Sequence, residues 1–230
     1  MEELQSIREG VKRIFRRNGK LCPEYTVAEG PRYKTVCWEE GSAPLFPARE
    51  NPKIRRIKEL DILGIPCAVT VYAVDGLSPD AQLLRELDIC EWWLGGETVR
   101  AKRYACGTSA VVTAVLSNDA TISLQLHSAP YGTAQSKREL FTTGGMASDR
   151  AVDTLLAHPA LYVSSPQGTE TYTDTDILLY GLSSDALDEA YCIYNTICSP
   201  GDAAARAERL DRIVDALMSE GSYSVSEVKA

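Results

Sequence analysis

Four aspartates in the second half of the chain have the residue type and spacing that paired-carboxylate chemistry requires. Asp149 and Asp153 are four residues apart, which places them on one face of a short helix, and Asp174 and Asp176 share a face if their segment is extended. Two convergent carboxylates can act as acid and base in glycoside hydrolysis, or they can bind a divalent cation. Turn and helix-cap roles are the commoner use of aspartate in such segments, so both interpretations stay open.

His127 is a further candidate for chemistry. Gln125 and Ser123 alternate with it in a predicted strand, so the three polar side chains share a face that lines a pocket or meets solvent or a subunit interface. The chain has one other histidine, His158, and its seven cysteines contain no C-x-x-C pair, so the sequence predicts no metal site. No serine stands in the Gly-x-Ser-x-Gly context of a nucleophile elbow. We expect the cysteines to be free thiols in a reducing cytoplasm.

The overall charge argues against two classes of partner. The 230 residues carry a net charge of -8, which disfavours nucleic acid and anionic membrane surfaces. No apolar run approaches the ~20 residues that a membrane span needs. The N-terminal segment is rich in Lys and Arg but has no apolar block, so it does not predict a secretory signal. We therefore expect a cytoplasmic protein that binds neither nucleic acid nor membrane.

Residues 1–50 are predicted to form a helix followed by an irregular arm. Apolar residues repeat with helical spacing near the N-terminus: Leu4, Ile7, Val11, Ile14 and Phe15. The apolar face of this helix is expected to pack on the body of the protein or on a partner. Five prolines interrupt residues 20–52, where only residues 33–38 are strand-like.

Residues 51–230 have a regular pattern that predicts an α+β domain. Helices are expected over residues 53–63, 80–94 and 184–196 and from about residue 200 to Gly221. Strands are expected over residues 67–74, 98–106, 109–117, 121–128, 138–142, 160–164 and 170–173. Because most strands follow one another directly, with few βαβ units, they are predicted to build a largely antiparallel sheet.

Neither common phosphate-binding glycine motif occurs in the chain. A Rossmann domain needs two βαβαβ halves, and its first turn carries G-x-G-x-x-G, which is absent here, as is G-x-x-x-x-G-K-[ST]. Each βαβ unit takes about 30 residues or more, so the irregular N-terminal segment is too short to form such a domain. The sequence therefore predicts that dinucleotide-dependent chemistry would need a second polypeptide.

Five segments stand in an order and spacing that match a known family: NPKIRRIKELDILGIP, LLRELDICEWWLGGETVRAKRY, AVVTAVLSNDATISLQLHSA, KRELFTTGGMASD and RLDRIVDALMSEGSYSV. Together they resemble the C-terminal, substrate-binding and oligomerisation domain of the Gfo/Idh/MocA oxidoreductases. The resemblance implies an open, mostly antiparallel sheet with helices packed on one face. In that family the other face of the sheet commonly pairs subunits.

The resemblance does not extend to the family's catalytic residues. The family's catalytic lysine lies in a Glu-Lys-Pro tripeptide that is absent here, and its second catalytic pair has the pattern Asp-x-x-x-His-x-x-Asp on the helix matching residues 80–94. With Asp88 as the last acid, Arg85 stands at the histidine position and Ala81 at the first aspartate position. Arginine stays charged near neutral pH and cannot exchange a proton with a hydroxyl, so we assign no catalytic residue. Arg85 either clamps a carboxylate or phosphate or pairs with an acid of its own domain.

Three functions follow as alternatives. The first is a non-catalytic or accessory protein that assembles with itself, or with an oxidoreductase subunit, through its sheet face. The second is a subunit of a split NAD(P)-dependent sugar or cyclitol oxidoreductase, in which a partner supplies the Rossmann domain and this chain alone binds no cofactor. The third is a binding module for an acidic small molecule, with Arg85, Asp88, His127 and Arg138 as the substrate-binding candidates.

Overall fold

The computed structural model describes residues 2–60, 64–129, 134–149, 160–166, 168–173 and 182–225. The chain divides into two compact units. The first, here called the small unit, combines Met1–Arg55 with Asp174–Arg209. The second, here called the sheet unit, combines Arg56–Thr173 with Leu210–Ala230.

The described part of the chain contains five α-helices and twelve strands. The helices are α1 (Glu2–Arg17), α2 (Pro52–Lys58), α3 (Pro79–Leu94), α4 (Ser184–Cys198) and α5 (Ala203–Ser219), with a 3-10 turn at Pro47–Glu50. The strands are β1 (Tyr25–Ala28), β2 (Thr35–Trp38), β3 (Gly41–Pro44), β4 (Pro66–Asp75), β5 (Thr98–Cys106), β6 (Ser109–Leu116), β7 (Thr121–Ser128), β8 (Gln135–Thr142), β9 (Gly145–Ser148), β10 (Ala160–Ser165), β11 (Gly168–Thr173) and β12 (Ser222–Ser224).

The core of the small unit lies between α1 and α4. Its buried side chains come from both helices and from the adjoining strands: Ile7, Val11, Ile14, Phe15, Val36, Leu45, Ala186, Leu187, Ala190 and Ile193. The helical spacing predicted for the N-terminus is therefore confirmed, and the apolar face packs on the protein's own body. Leu4 is the exception, because its side chain in the first turn is 55% exposed.

Residues 20–52 are more regular than the sequence predicts. The sequence indicates one strand there, whereas the structure forms a three-stranded antiparallel sheet in the order β1-β2-β3. The strands β1 and β3 have four residues each. Segments this short, in a region broken by prolines, lack the run of alternating residues by which a strand is recognised in a sequence.

The sheet unit is built on one open sheet. Within the described residues its strand order is β11-β10-β9-β8-β4-β7-β6-β5-β12. Strands β4 and β7 pair in parallel, and the other neighbours in this order are antiparallel. The parallel pair arises because α3 and the β5–β6 hairpin lie between β4 and β7 in the chain. The predicted α+β class with an open, mostly antiparallel sheet is confirmed.

The two faces of this sheet differ in character. On one face, Val69, Val71 and Ala73 of β4 are buried together with Ile122 and Leu124 of β7, and α3 packs against these two strands. On the other, here called the open face, one row of side chains crosses five strands, since strand register places them opposite one another: Tyr104, Val111, Gln125, Tyr72 and Lys137. Alternation along each strand therefore separates a buried face from an exposed one.

Candidate functional site

Helix α3 carries the positions that match the family's second catalytic pair, and both of its ends are fixed. The hydroxyl of Ser78 caps the N-terminus, accepting a hydrogen bond from Ala81 N at 3.4 Å. Gly95 ends the helix with a φ of 70°, and Asn118 Nδ2 donates to Leu94 O at 2.9 Å. With these ends α3 runs from Pro79 to Leu94, in agreement with the predicted range of residues 80–94 to within one residue.

A buried amide joins α3 to the two central strands. Gln82 Nε2 donates to Ala73 O at 3.2 Å and to His127 O at 3.3 Å, near the ends of β4 and β7. These bonds satisfy carbonyl groups that burial would otherwise leave without donors. They fix the rotation of α3 about its axis, and therefore the direction in which the next helical turn points.

Glu86, one turn after Gln82, is fully buried and forms a bidentate ion pair with Arg138. Arg138 Nε donates to one carboxylate oxygen and Nη2 donates to the other, each at 2.7 Å. Arg138 stands opposite Val71 in the β4–β8 pair, so its side chain points to the face covered by α3. Planar guanidinium and carboxylate groups match in this geometry, which makes the pair one of the strong charge-assisted contacts.

Asp149 completes the surroundings of Arg138. Its Oδ2 accepts from Arg138 Nη1 at 2.7 Å, and its Oδ1 accepts from the backbone N–H of the same arginine at 2.7 Å. Nη1 also donates to Ser136 Oγ at 3.1 Å. All three nitrogens of this guanidinium therefore donate to groups of the protein itself, as a buried charge requires.

Arg85 also donates hydrogen bonds to the carboxylate of Glu86. Its Nε and Nη2 donate to Glu86 Oε1 at 2.8 and 2.6 Å, and Nη2 also donates to Asp75 Oδ2 at 2.6 Å. Asp75 lies at the end of β4, where its Oδ1 accepts from Leu77 N at 3.0 Å. We call Asp75, Arg85, Glu86, Arg138 and Asp149 the ion cluster. The side chain of Arg85 is 28% exposed, which makes it the most exposed member.

The ion cluster keeps Glu86 charged. Burial alone would raise the pKa of this carboxyl, but the charges of Arg138 and Arg85 and their hydrogen bonds lower it to about 2. Burial would likewise lower the pKa of Arg138, but Glu86 and Asp149 raise it. Glu86 and Arg138 therefore both stay charged near neutral pH, and neither exchanges a proton there.

The other predicted substrate-binding residues occupy different surroundings. Asp88 is buried on α3. His127 alternates with buried residues of β7, so it shares the open face with Gln125 and Ser123, as the sequence predicts. Its Nδ1 forms a hydrogen bond with Ser109 Oγ at 2.7 Å, across the β6–β7 pair. The structure thus joins Arg85 and Arg138 through Glu86 and places His127 on the opposite face of the sheet.

Of the four aspartates with paired-carboxylate spacing, Asp149 is the one that the structure describes. It serves as an ion-pair partner of Arg138. Asp153, Asp174 and Asp176 lie outside the described residues, so the convergence of the two pairs stays a prediction.

A small pocket lies beside the first turns of α3. Its walls include Gln82, Leu83 and Leu126, together with Arg103 and Thr108 at the β5–β6 hairpin. Its volume of about 10 Å³ holds about one water molecule. A sugar ring or a nicotinamide ring does not fit in this pocket without a rearrangement of its walls.

Two acids of the ion cluster, Asp75 and Glu86, were missed by the sequence interpretation. Glu86 stands among buried positions of α3 that include Leu83, Leu87 and Cys90, and Asp75 ends an apolar strand. The available signal was a carboxylate inside an apolar stripe, because a buried acid needs a cationic partner. With two arginines already singled out, that signal was sufficient to propose a buried ion pair.

The described part of the chain shows no metal-binding cluster, no disulfide bond and no membrane-spanning helix. There, no three His, Cys, Asp or Glu side chains are grouped so that they could hold a metal ion. The seven cysteines, all within described segments, are free thiols. Among the helices described, none has the length and apolar character to cross a membrane.

Comparison with known proteins identifies solved structures of similar fold. No protein-family model matches the chain, and no curated protein matches it. An oxidoreductase from Agrobacterium radiobacter, solved with NAD+, L-tartaric acid and magnesium, matches 77% of this chain and 63% of its own, with a TM-score of 0.58 and 17% identity. For a putative myo-inositol dehydrogenase from Sinorhizobium meliloti 1021, the match covers 79% of this chain and 64% of the dehydrogenase chain, with a TM-score of 0.54 and 14% identity. For a levoglucosan dehydrogenase solved with NADH and levoglucosan, the match covers 80% of this chain and 65% of the dehydrogenase chain, with a TM-score of 0.57 and 13% identity.

These neighbours are Gfo/Idh/MocA-type oxidoreductases, so the resemblance to that family is confirmed as a likeness of fold, and its restriction to the C-terminal domain stays a prediction. The chain spans slightly less than two thirds of the length of each of them. Sequence identities of 13–17% indicate a shared fold and do not indicate a shared activity.

Proposed function

We propose that this chain is a non-catalytic, oxidoreductase-like protein that assembles through the open face of its sheet. The observation that carries the proposal is the ion cluster. By the resemblance, Arg85 stands where an acid-base histidine is expected, and its guanidinium donates to Asp75 and Glu86. A permanently charged group held by two carboxylates cannot take up and release the proton of a substrate hydroxyl.

The composition of the open face supports assembly. Large apolar side chains are exposed on it: Tyr104 (64%), Tyr72 (46%), Val111 (44%) and Phe141 (38%). They stand on four strands, interspersed with Gln125, Lys137 and Thr113. A regular surface that mixes aromatic and polar side chains is typical of a protein–protein interface. A second copy of the chain fits this face, since a two-fold axis brings one sheet against the same sheet of its partner.

Hydroxyl-radical footprinting of the whole chain tests whether the open face is covered. The proposal predicts that Tyr72 and Phe141 oxidise more slowly than their exposure in a single chain allows, and that dilution restores their reactivity. Leu21 is 96% exposed and lies in the small unit, so it is the internal reference and should react fully at every concentration. Oxidation that follows the single-chain exposure of each position and does not change with concentration would contradict assembly through this face.

A split oxidoreductase is the second candidate. It is favoured by the neighbours of known structure, two of which were solved with NAD+ or NADH. Since the 230 residues contain no G-x-G-x-x-G motif, NAD(P) would be bound by a Rossmann-bearing partner chain. Co-expression with such a chain tests the idea. It predicts a complex that binds NADH, and it fails if the two chains purify separately.

Binding of an acidic small molecule is the third candidate, supported by the 28% exposure of the Arg85 side chain. An anionic sugar such as a uronate should then raise the melting temperature, and Arg85→Ala should abolish the rise. Lys137→Ala removes an exposed charge on the other face and is the control. An equal rise in wild type and Arg85→Ala excludes Arg85 as the ligand-binding residue.

A further inference from the structure

The ends of α1 and α4 bring an amine and a thiol together. Lys20 Nζ donates to Cys198 Sγ at 3.3 Å, and both side chains are exposed. The two residues are 178 positions apart in the chain, so the contact exists only in the folded small unit. Neither the ion cluster nor the open face includes these residues.

Local structure holds the two groups in place. Gly19 ends α1 with a φ of 68°, and Lys20 N donates back to Phe15 O at 2.9 Å, which fixes the lysine backbone just beyond the helix. The ring of Phe15 packs edge-on against Tyr194, with 4.8 Å between the ring centroids. Tyr194 lies one turn before Cys198 on α4, and Lys20 Nζ is 5.7 Å from its ring centroid. The packing of the two helix ends therefore sets the distance between nitrogen and sulfur.

An amine next to a thiol has a defined oxidative chemistry. An oxidised cysteine, as sulfenic acid, has an electrophilic sulfur that condenses with a nearby thiol or nitrogen. The hydrogen bond and the charge interaction with Cys198 raise the pKa of Lys20. Lys20 Nζ, 3.3 Å from Cys198 Sγ, is the side-chain nitrogen that can reach this sulfur after oxidation. Cys67, also exposed, has a different neighbour, because its Sγ contacts Ile65 O at 3.2 Å.

We propose that Lys20 and Cys198 form a peroxide-responsive covalent link. In the first step the Cys198 thiol is oxidised to a sulfenic acid, and the peroxide is reduced to water. In the second, Lys20 Nζ gives one proton to solvent and the neutral amine attacks the sulfur. An S–N bond forms, the S–O bond breaks, and the hydroxyl leaves as water with a second proton from the amine. A small thiol reverses the link by attacking the sulfur, which gives a mixed disulfide and the free amine.

The link joins the two helices that form the core of the small unit. Closing a loop of this length lowers the conformational entropy of the unfolded chain, which stabilises the folded state. We therefore expect oxidation to raise the melting temperature of the chain by several degrees, and a thiol reductant to return it to its starting value.

Peptide mapping of the peroxide-treated full chain tests the proposal. Wild type should yield a Lys20–Cys198 linked peptide whose mass is two hydrogens below the sum of its parts, and dithiothreitol should remove it. Lys20→Arg keeps the positive charge but has no attacking amine, and Cys198→Ser has no oxidisable sulfur, so neither should form the link or gain stability. Cys67 serves as the internal control and should form no bond to any lysine.

Two results would overturn the proposal. One is conversion of Cys198 in wild type to sulfinic or sulfonic acid with no linked peptide at any peroxide dose. The other is an equal rise in melting temperature for wild type and Lys20→Arg, which would assign the effect to oxidation elsewhere in the chain.

Discussion

Arg85 determines what helix α3 can do chemically. A histidine at this position titrates near neutral pH, whereas a guanidinium stays charged and donates in a fixed plane. Here that plane meets Glu86 and Asp75 at 2.6 Å. Arg85 and Arg138 together offset most of the charge of three carboxylates, so the cluster stabilises the fold around α3. Arg85 stands at the position that the resemblance aligns with a histidine, so the group at that position does not exchange a proton near neutral pH.

Arg138→Met is predicted to be strongly destabilising. The methionine fills part of the volume but leaves Glu86 buried without its bidentate partner, which costs about 3–5 kcal/mol of unfolding free energy. Urea unfolding at pH 7 measures the loss. Lys137→Met removes the same charge from the preceding residue, whose side chain is 42% exposed, and should cost about 1 kcal/mol or less. Similar losses for the two variants would show that the ion cluster is not a special source of stability.

Glu86→Gln is predicted to change how stability depends on pH. The folded-state pKa of Glu86 is about 2 and the ordinary value is 4.5, so its contribution is fully present above about pH 4.5 and is lost as the pH falls towards 2. The variant should therefore be less stable than wild type at pH 7, and the difference should shrink at pH 3. Urea unfolding at both values measures it. A difference that does not change between pH 7 and pH 3 contradicts the lowered pKa.

The sequence identified both arginines of the ion cluster but not how they are used. Arg85 was found through its alignment with a histidine position, and Arg138 through its place in a predicted strand. Their partners come from separate elements of the sheet unit: Asp75 ends β4, Glu86 lies on α3 and Asp149 follows β9. The contact between Glu86 and Arg138, which are 52 positions apart in the chain, depends on strand order and register, which one sequence does not specify.

At the scale of elements, local signals sufficed wherever they were strong. The strands at Thr98–Cys106 and Thr121–Ser128 have the predicted bounds, because each alternates polar and apolar residues between clear turns. Helix α3 ends at the predicted residue, Leu94, because Gly95 follows it with a φ of 70° that suits glycine. Strands β1 and β3 were missed, whereas β2, which is equally short, was predicted. Their formation depends on pairing with β2.

Ser78→Ala should weaken α3 by removing its N-cap. The loss of the hydroxyl that accepts from Ala81 N is expected to cost about 0.5–2 kcal/mol of unfolding free energy. Urea unfolding measures the change, and Ser78→Asp is the matched variant, because a carboxylate caps equally well and suits the helix N-terminus. If Ser78→Asp loses as much stability as Ser78→Ala, capping is not the reason for serine at this position.

At the scale of the whole molecule, the order of segments predicted the likeness of fold that the structural neighbours confirm. The division into a small unit and a sheet unit was not predicted. The small unit takes Asp174–Arg209 from the second half of the chain, whose buried α4 residues pack with α1. Periodicity identifies an apolar helical face, but it does not identify the element on which that face packs.

The chain alone is predicted not to bind a nicotinamide cofactor. Ligands that bind the folded state raise the melting temperature, by an amount that grows with concentration above the dissociation constant. NADH at millimolar concentration should therefore leave the melting temperature of the chain unchanged. Differential scanning fluorimetry measures the melting temperature. A dose-dependent rise would show that this chain itself binds the cofactor and would contradict the proposal that a partner chain binds it.

The solution mass of the chain, measured by light scattering over a dilution series, tests the central claim most directly. If the open face is an assembly surface, wild type has at least twice the mass of one chain at micromolar concentration. Tyr72→Glu, which puts a charge in the middle of that face, should be a folded monomer. Leu21→Glu adds the same charge at an exposed site of the small unit and should behave as wild type. A wild-type monomer at every concentration, or a Tyr72→Glu variant with the mass of the wild-type assembly, would contradict the account.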